Sequence, residues 1–157
     1  MAKIMVIAGG EWQCPIVQTA KSMGHTVICS NLYEDSPAFI YADVGEVADV
    51  LDREKSLWIA KKYKPDAVLT DQSDIAVPTV AYVAEQMGLP GYDNYEVTCT
   101  LHNKHRFKEF ALENDILTPR SQIFQTQEAA RDALREMTFP VIIKPTDASA
   151  GNGIHKS

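Results

Sequence analysis

A chain of 157 residues can bury one sizeable core and begin a second, since domains commonly run about 100 to 200 residues. Its 45% hydrophobic and 23% charged residues are those of an ordinary globular protein, which sets aside disorder. A net charge of -6 without any strongly basic stretch excludes nucleic acid as the main partner, and the small cluster Lys104, His105, Arg106 and Lys108 is enough only for a few phosphates. No apolar run approaches membrane-spanning length and no basic leader precedes one, so neither a membrane nor export is expected. Cys14, Cys29 and Cys99 are odd in number and widely spaced, which reads as reduced thiols of a cytoplasmic protein with no zinc site.

In chain order, residues 3–8 form a β-rich run that ends in Gly9-Gly10, the pattern of a buried parallel strand and a tight turn. Pro15 suits the first turn of a helix whose apolar face carries Ile16, Val17, Ala20 and Met23, and Gly24 ends it. Residues 25–29 supply the second strand, completing a β-α-β unit within about 30 residues. A short strand is predicted at 45–48. Asp52 then caps a helix carrying Leu57, Ile59 and Ala60, with Lys61, Lys62 and Lys64 near its negative end and Pro65 closing it. Residues 66–70 are the next strand, followed by the polar loop 71–74 and a helix over 76–87.

Gly88-Leu89-Pro90-Gly91 punctuates the end of the first domain. The alternation of strands and helices to that point predicts an α/β fold with a parallel sheet covered on both faces. The expected organisation is a first domain over 1–98, a helical linker over 99–118, and a second unit over 119–157. Thr100 or Asn103 caps a helix over 104–113 with Phe107, Phe110 and Ala111 on its apolar side. Beyond Pro119 the pattern predicts a strand at 121–124, a helix over 126–137, and an apolar strand at 141–145 that ends on a lysine.

That lysine, Lys144, carries chemistry. A strand end can hold an ammonium beside a polyphosphate, while the small-residue loop through Gly153 exposes peptide N-H groups that donate to phosphate oxygens. Glycine permits the close approach. The segment is not a P-loop, because no Gly-x-x-x-x-Gly-Lys-Ser/Thr run occurs. Gly151-x-Gly153 lacks the third glycine of a dinucleotide fingerprint, and Gly9-Gly10 lacks its spacing, which disfavours a nicotinamide enzyme.

Asn103-Lys104, then Pro119, then residues 139–145 with the loop to Gly153, occur in the order and spacing seen in one family. Across the whole chain the sequence resembles the ATP-grasp superfamily, in the branch of biotin carboxylase, carbamoyl-phosphate synthase large chains and purine carboxylate-amine ligases. The resemblance implies a Rossmann-like pre-ATP-grasp domain followed by an incomplete α+β ATP-grasp subdomain. It also implies that Lys104 and Lys144 contact ATP phosphates, and that Ser149, Ala150, Gly151, Asn152 and Gly153 fold over the β- and γ-phosphates. Asp147 and Ala150 depart from the family's usual small and glycine-rich residues at that loop.

The same resemblance places adenine-, magnesium- and acylphosphate-handling residues downstream of Ser157. The chain is therefore expected to be an N-terminal part, inactive alone, of a ligase using ATP and Mg2+. The expected partners are a small carboxylate or amine substrate and a missing C-terminal catalytic segment, or further copies of the chain. Two other readings stay open: a naturally short nucleotide- or metabolite-binding module, and a subunit of a split carbamoyl-phosphate-synthase-like enzyme. No catalytic residue is assigned, and no spacing of acidic residues defines a metal centre.

Ligands of parallel sheets rest beyond the carboxyl ends of the strands. That nominates Gly9, Gly10 and Glu11, then Asn31 and Glu34, then Asp71 and Asp74 for substrate binding, although turn and cap chemistry accounts for the same residue types. Lys144 and Lys104 have bland alternatives as solvated lysines at a strand end and on a surface helix. His102 and His105 read as surface residues, Cys14 as an incidental thiol, and Trp12 and Trp58 as packing or rim residues.

Overall fold

The computed structural model describes residues 1–91, 93–146 and 153–156. The chain divides into two compact units, Met1–Thr98 and Cys99–Ser157. In the first, four strands, β1 (Lys3–Ile7), β2 (Thr26–Asn31), β3 (Val44–Val47) and β4 (Ala67–Leu69), form one parallel sheet in the order β3-β2-β1-β4. Met5 lies opposite Ile28 on one side and Val68 on the other, so β1 sits at the centre. The parallel α/β architecture expected from the alternating pattern is the one found.

Because side chains alternate along a strand, the central strands split their apolar residues between two interiors. Met5, Ile7, Ile28 and Val68 pack on one face with Leu57, Ile59, Ala60, Val80 and Val83. Those partners come from helices α2 (Arg53–Tyr63) and α3 (Val77–Met87). Val6, Val27 and Cys29 fill the other with Val17 and Ala20 of α1 (Cys14–Ser22) and Ala38. Fully burying each of the larger side chains contributes about 1.5–3 kcal/mol, which is why the near-continuous hydrophobic run of β1 occupies the middle.

Local signals set the helix ends. Asp52 accepts from the Lys55 N-H at 2.9 Å at the start of α2, a cap worth about 0.5–2 kcal/mol. Lys64 closes that helix with a left-handed φ of 50°, and its N-H reaches the Ala60 carbonyl at 2.7 Å. A single 3-10 turn, Asp74–Ala76, leads into α3, where the pattern predicts continuous helix from residue 76. The third strand lies one residue earlier than the predicted 45–48.

Two carboxylates tie strands to helix ends. Asp43 accepts from Lys21 Nζ at 2.5 Å and from the Val27 N-H at 2.7 Å, while Glu46 accepts from Lys62 Nζ at 2.6 Å and Tyr63 Oη at 2.5 Å. Lys21 first and Val27 second hold the Asp43 carboxyl below its usual range; Lys62 first and Tyr63 second do the same for Glu46. A carboxyl lowered by folding stabilises the fold above its unfolded pKa, and that contribution disappears as pH falls through the folded one. Solvent screening keeps each small. Urea midpoints measured down from pH 7 are expected to decline more steeply below about pH 4 for the parent chain than for an Asp43→Asn, Glu46→Gln double variant. Parallel curves would exclude these two groups as the source.

In the second unit, Asn103 accepts from the His105 and Arg106 N-H groups at 3.0 and 3.1 Å and caps α5 (Lys104–Glu113). It follows α4 (Tyr95–His102), which the sequence pattern indicates only as a helical connection. Thr126 caps α6 (Gln127–Leu134), shorter than the predicted 126–137. Strands β5 (Ile142–Ile143) and β6 (His155–Lys156) pair antiparallel. The predicted strand at 121–124 is irregular: no described strand pairs with it, and a strand without a ladder partner leaves its backbone groups to water. Among the described residues of this unit Ala111 is the one buried hydrophobic residue. No helix of the described residues is long and apolar enough to cross a membrane.

Candidate functional site

The carboxyl ends of β1, β2 and β4 share one edge of the first sheet, and the nominated substrate residues follow them. Ala8 turns the chain directly after β1 with a φ of 77°, which a buried alanine adopts only under strain. Gly9 is packed from the side: a Cβ there would stand 2.9 Å from Cys29 Sγ and 3.2 Å from Asn31 Cβ. Close packing within the fold thus explains this glycine. Its carbonyl accepts from the Ala38 N-H at 3.1 Å, fixing the first loop to the segment after β2.

Gly10 donates its N-H to Gln13 Oε1 at 3.0 Å, and Gln13 Nε2 donates to the Asp71 carbonyl at 2.5 Å. Gln13 is buried, and the expectations above pass over it; the only local signal is a polar residue at the entry to α1, whose partner lies 58 residues away. Glu11 is exposed at the start of a 3-10 turn, Glu11–Gln13. Asn31 ends β2, donating from Nδ2 to Ser36 Oγ at 2.9 Å, and Ser36 in turn donates to the Tyr33 carbonyl. Glu34 and Asp74 are exposed, whereas Asp71 is half-buried beside Gln72, which has a left-handed φ of 51°. Gly9, Gly10, Asn31 and Asp71 are therefore joined through short contacts; Glu11, Glu34 and Asp74 stand on the same loops with their carboxylates toward water.

Cys14 and Cys29 donate to the carbonyls of Gly10 and Ala8, each at 3.7 Å. Burial first, and the neighbouring Cys14 second, push the Cys29 thiol up to about 12. A thiol so rarely ionised is a packing group and not a nucleophile.

In the second unit, Lys104 is the first residue of α5, behind its Asn103 cap. Lys108 donates to Thr118 Oγ1 and to the Pro119 carbonyl, and His105 faces Glu109 at 3.6 Å. Lys144 is exposed immediately after β5. Gly153 has a φ of 70°, and a Cβ there would meet Pro145 Cγ at 2.8 Å, so the far end of the loop returns onto the residue after Lys144. Ser149, Ala150, Gly151 and Asn152 lie outside the described residues, as does Asp147. Among the described residues, no group of three or more His, Cys, Asp or Glu is placed to hold a metal ion.

No protein-family model matches the chain. It is 27% identical over 151 residues to the formate-dependent phosphoribosylglycinamide formyltransferase of Synechococcus sp. (strain CC9605), covering 96% of this chain and 38% of that protein. The crystal structure of N5-carboxyaminoimidazole ribonucleotide synthetase from Thermotoga maritima is 28% identical with a TM-score of 0.73, covering 99% of this chain and 41% of the other. That of N5-carboxyaminoimidazole synthetase from Staphylococcus aureus, complexed with ADP, shares the fold at 20% identity and a TM-score of 0.77, with the same coverage. The chain thus spans about two fifths of the length of the proteins it matches.

Proposed function

Because the chain belongs to the ATP-grasp superfamily, as its N-terminal portion, we propose that it supplies the acceptor-facing domain and part of the nucleotide site of an ATP-dependent carbon-nitrogen ligase. The carrying observation is the extent of the likeness. A match over 96% of the chain cannot be confined to the first unit, which ends at Thr98, so both units relate to the same proteins.

The residues in place suit a polyphosphate: an exposed ammonium at a strand end, a loop that returns on a left-handed glycine, and a capped helix start bearing Lys104. Lys144, Lys104 and Gly153 would hold the phosphates, together with Ser149, Ala150, Gly151 and Asn152. Bound there with magnesium, ATP would supply the phosphoryl group that activates a carboxylate for attack by an amine. Lys144 and Lys104 offset phosphate charge, while the Gly9-Gly10-Glu11, Asn31, Glu34 and Asp71–Asp74 loops orient the acceptor. Turnover requires a further segment or subunit. The relatives' names make phosphoribosylglycinamide and formate the first acceptor-side probes. Three free cysteines support a reducing, cytoplasmic setting.

Calorimetric titration of the chain with MgADP tests the nucleotide half. Lys144→Ala and Lys104→Ala are each expected to weaken binding about tenfold, the scale of a lost charge-assisted hydrogen bond, while Lys61→Ala on α2 leaves it unchanged. Equal affinity in all four proteins, or steady ATP hydrolysis by the chain alone, would overturn the assignment.

A further inference from the structure

The carboxyl edge contains one buried polar side chain that touches two of the loops assigned to the acceptor. Strands β1 and β4 are neighbours, with Val6 opposite Leu69, so the loops that leave them begin side by side. Between those loops lies the Gln13 carboxamide, 5% exposed, with both ends used: Oε1 accepts from Gly10 and Nε2 donates to the Asp71 carbonyl. Gly10 belongs to the first loop and Asp71 to the fourth. Directly beyond Asp71 comes Gln72 in the left-handed region, then the Asp74–Ala76 turn, closed by the Ala76 N-H on the Ser73 carbonyl at 3.0 Å. The direction of Asp74 is therefore set through a backbone that Gln13 holds at its root.

We infer that Gln13 is a positioning residue for the acceptor edge, fixing the separation and relative heading of the Gly9–Glu11 and Asp71–Asp74 loops. The inference rests on the acceptor role proposed above for those loops. Few side chains can replace it. A carboxamide offers one acceptor and one donor side by side on a short stem, matching an N-H on one loop and a carbonyl on the other. A carboxylate of the same shape keeps the bond to Gly10 and turns a second oxygen toward the Asp71 carbonyl, where oxygen faces oxygen. An aliphatic side chain loses both bonds. Gln13 thus differs from a residue that only fills volume, since its two bonds separate by substitution.

Gln13→Glu and Gln13→Leu, compared with the unmodified 157-residue chain, provide the test. Hydrogen exchange is followed at the Gly10 and Ala76 amides, and phosphoribosylglycinamide is titrated into each protein. The Glu variant is expected to keep Gly10 protected, to speed Ala76 exchange about tenfold, and to weaken phosphoribosylglycinamide binding by a similar factor. The Leu variant is expected to lose protection at both amides; if it fails to fold, the Glu variant still decides. In the Glu variant a general loss of stability would speed both amides together, and that result, or unchanged exchange at Ala76 with unchanged binding, overturns the inference. If the unmodified chain binds no phosphoribosylglycinamide, that acceptor reading falls, and the split between Gly10 and Ala76 exchange alone decides whether Gln13 holds the fourth loop.

Discussion

Ile28→Ala is expected to lower the stability of the first unit by about 2–5 kcal/mol, the range for emptying a large buried aliphatic site. Ile28 is 1% exposed on β2, paired with Met5 on one side and Val44 on the other, and it belongs to the interior shared with α2 and α3. Parallel strands joined to neighbours on both flanks have little freedom to collapse around a cavity, which favours the upper part of the range. For a unit near 100 residues each kcal/mol shifts the thermal midpoint by about 4–8 °C, so a fall of roughly 10 °C or more is expected by circular dichroism. A midpoint within about 3 °C of the parent would mean that the interior relaxes to fill the space.

The second large effect separates the two units. A polypeptide of residues 1–98 is expected to unfold cooperatively within about 5 °C of the whole chain, while one of residues 99–157 gives no cooperative transition. Ordering a residue costs about 1–2 kcal/mol in backbone entropy, and burial of apolar surface must offset it. The first unit has two apolar interiors with which to do so. In the second, Ala111 is the one buried hydrophobic residue described, and Leu117 and Ile142 are 101% and 67% exposed. Helix α6 has a strongly one-sided apolar pattern, yet Ala130, Ala133 and Leu134 are only half-buried and none of its residues is fully buried. Calorimetry of both polypeptides checks this, and a sharp transition in residues 99–157 would show that the unit is self-sufficient.

Much of the first unit could be read from residue order because its signals are local. Residues 3–7 are consecutively apolar after Lys3, Pro15 and Gly24 bracket α1, and Asp52 and Pro65 bracket α2; each acts within a few residues of itself. The second unit was legible where a cap was present, at Asn103 and Thr126, and not at 121–124, where alternation of side chains had no neighbouring strand to answer it. The candidate edge was legible as loops at strand ends. Its internal construction was not: Gln13 meets Asp71 across 58 residues, and the packing of Gly9 against Cys29 and Asn31 depends on β2 lying beside β1. The phosphate-facing reading of Lys104 rests on resemblance, since a lysine at a helix start carries no local mark of what it will meet, whereas Lys144 has a local signal in the apolar strand that ends on it and the small-residue loop beyond.

The strand order β3-β2-β1-β4 also dictates an order of events for a chain growing from its amino end. Strands β1, β2 and β3 can pair with one another once residue 47 is available, but the other side of β1 waits for residues 67–69. Until then Ile4, Met5 and Val6 present an open, apolar edge at what will become the centre of the sheet. The interval is one in which a second nascent chain could pair there first, and it closes only when β4 arrives.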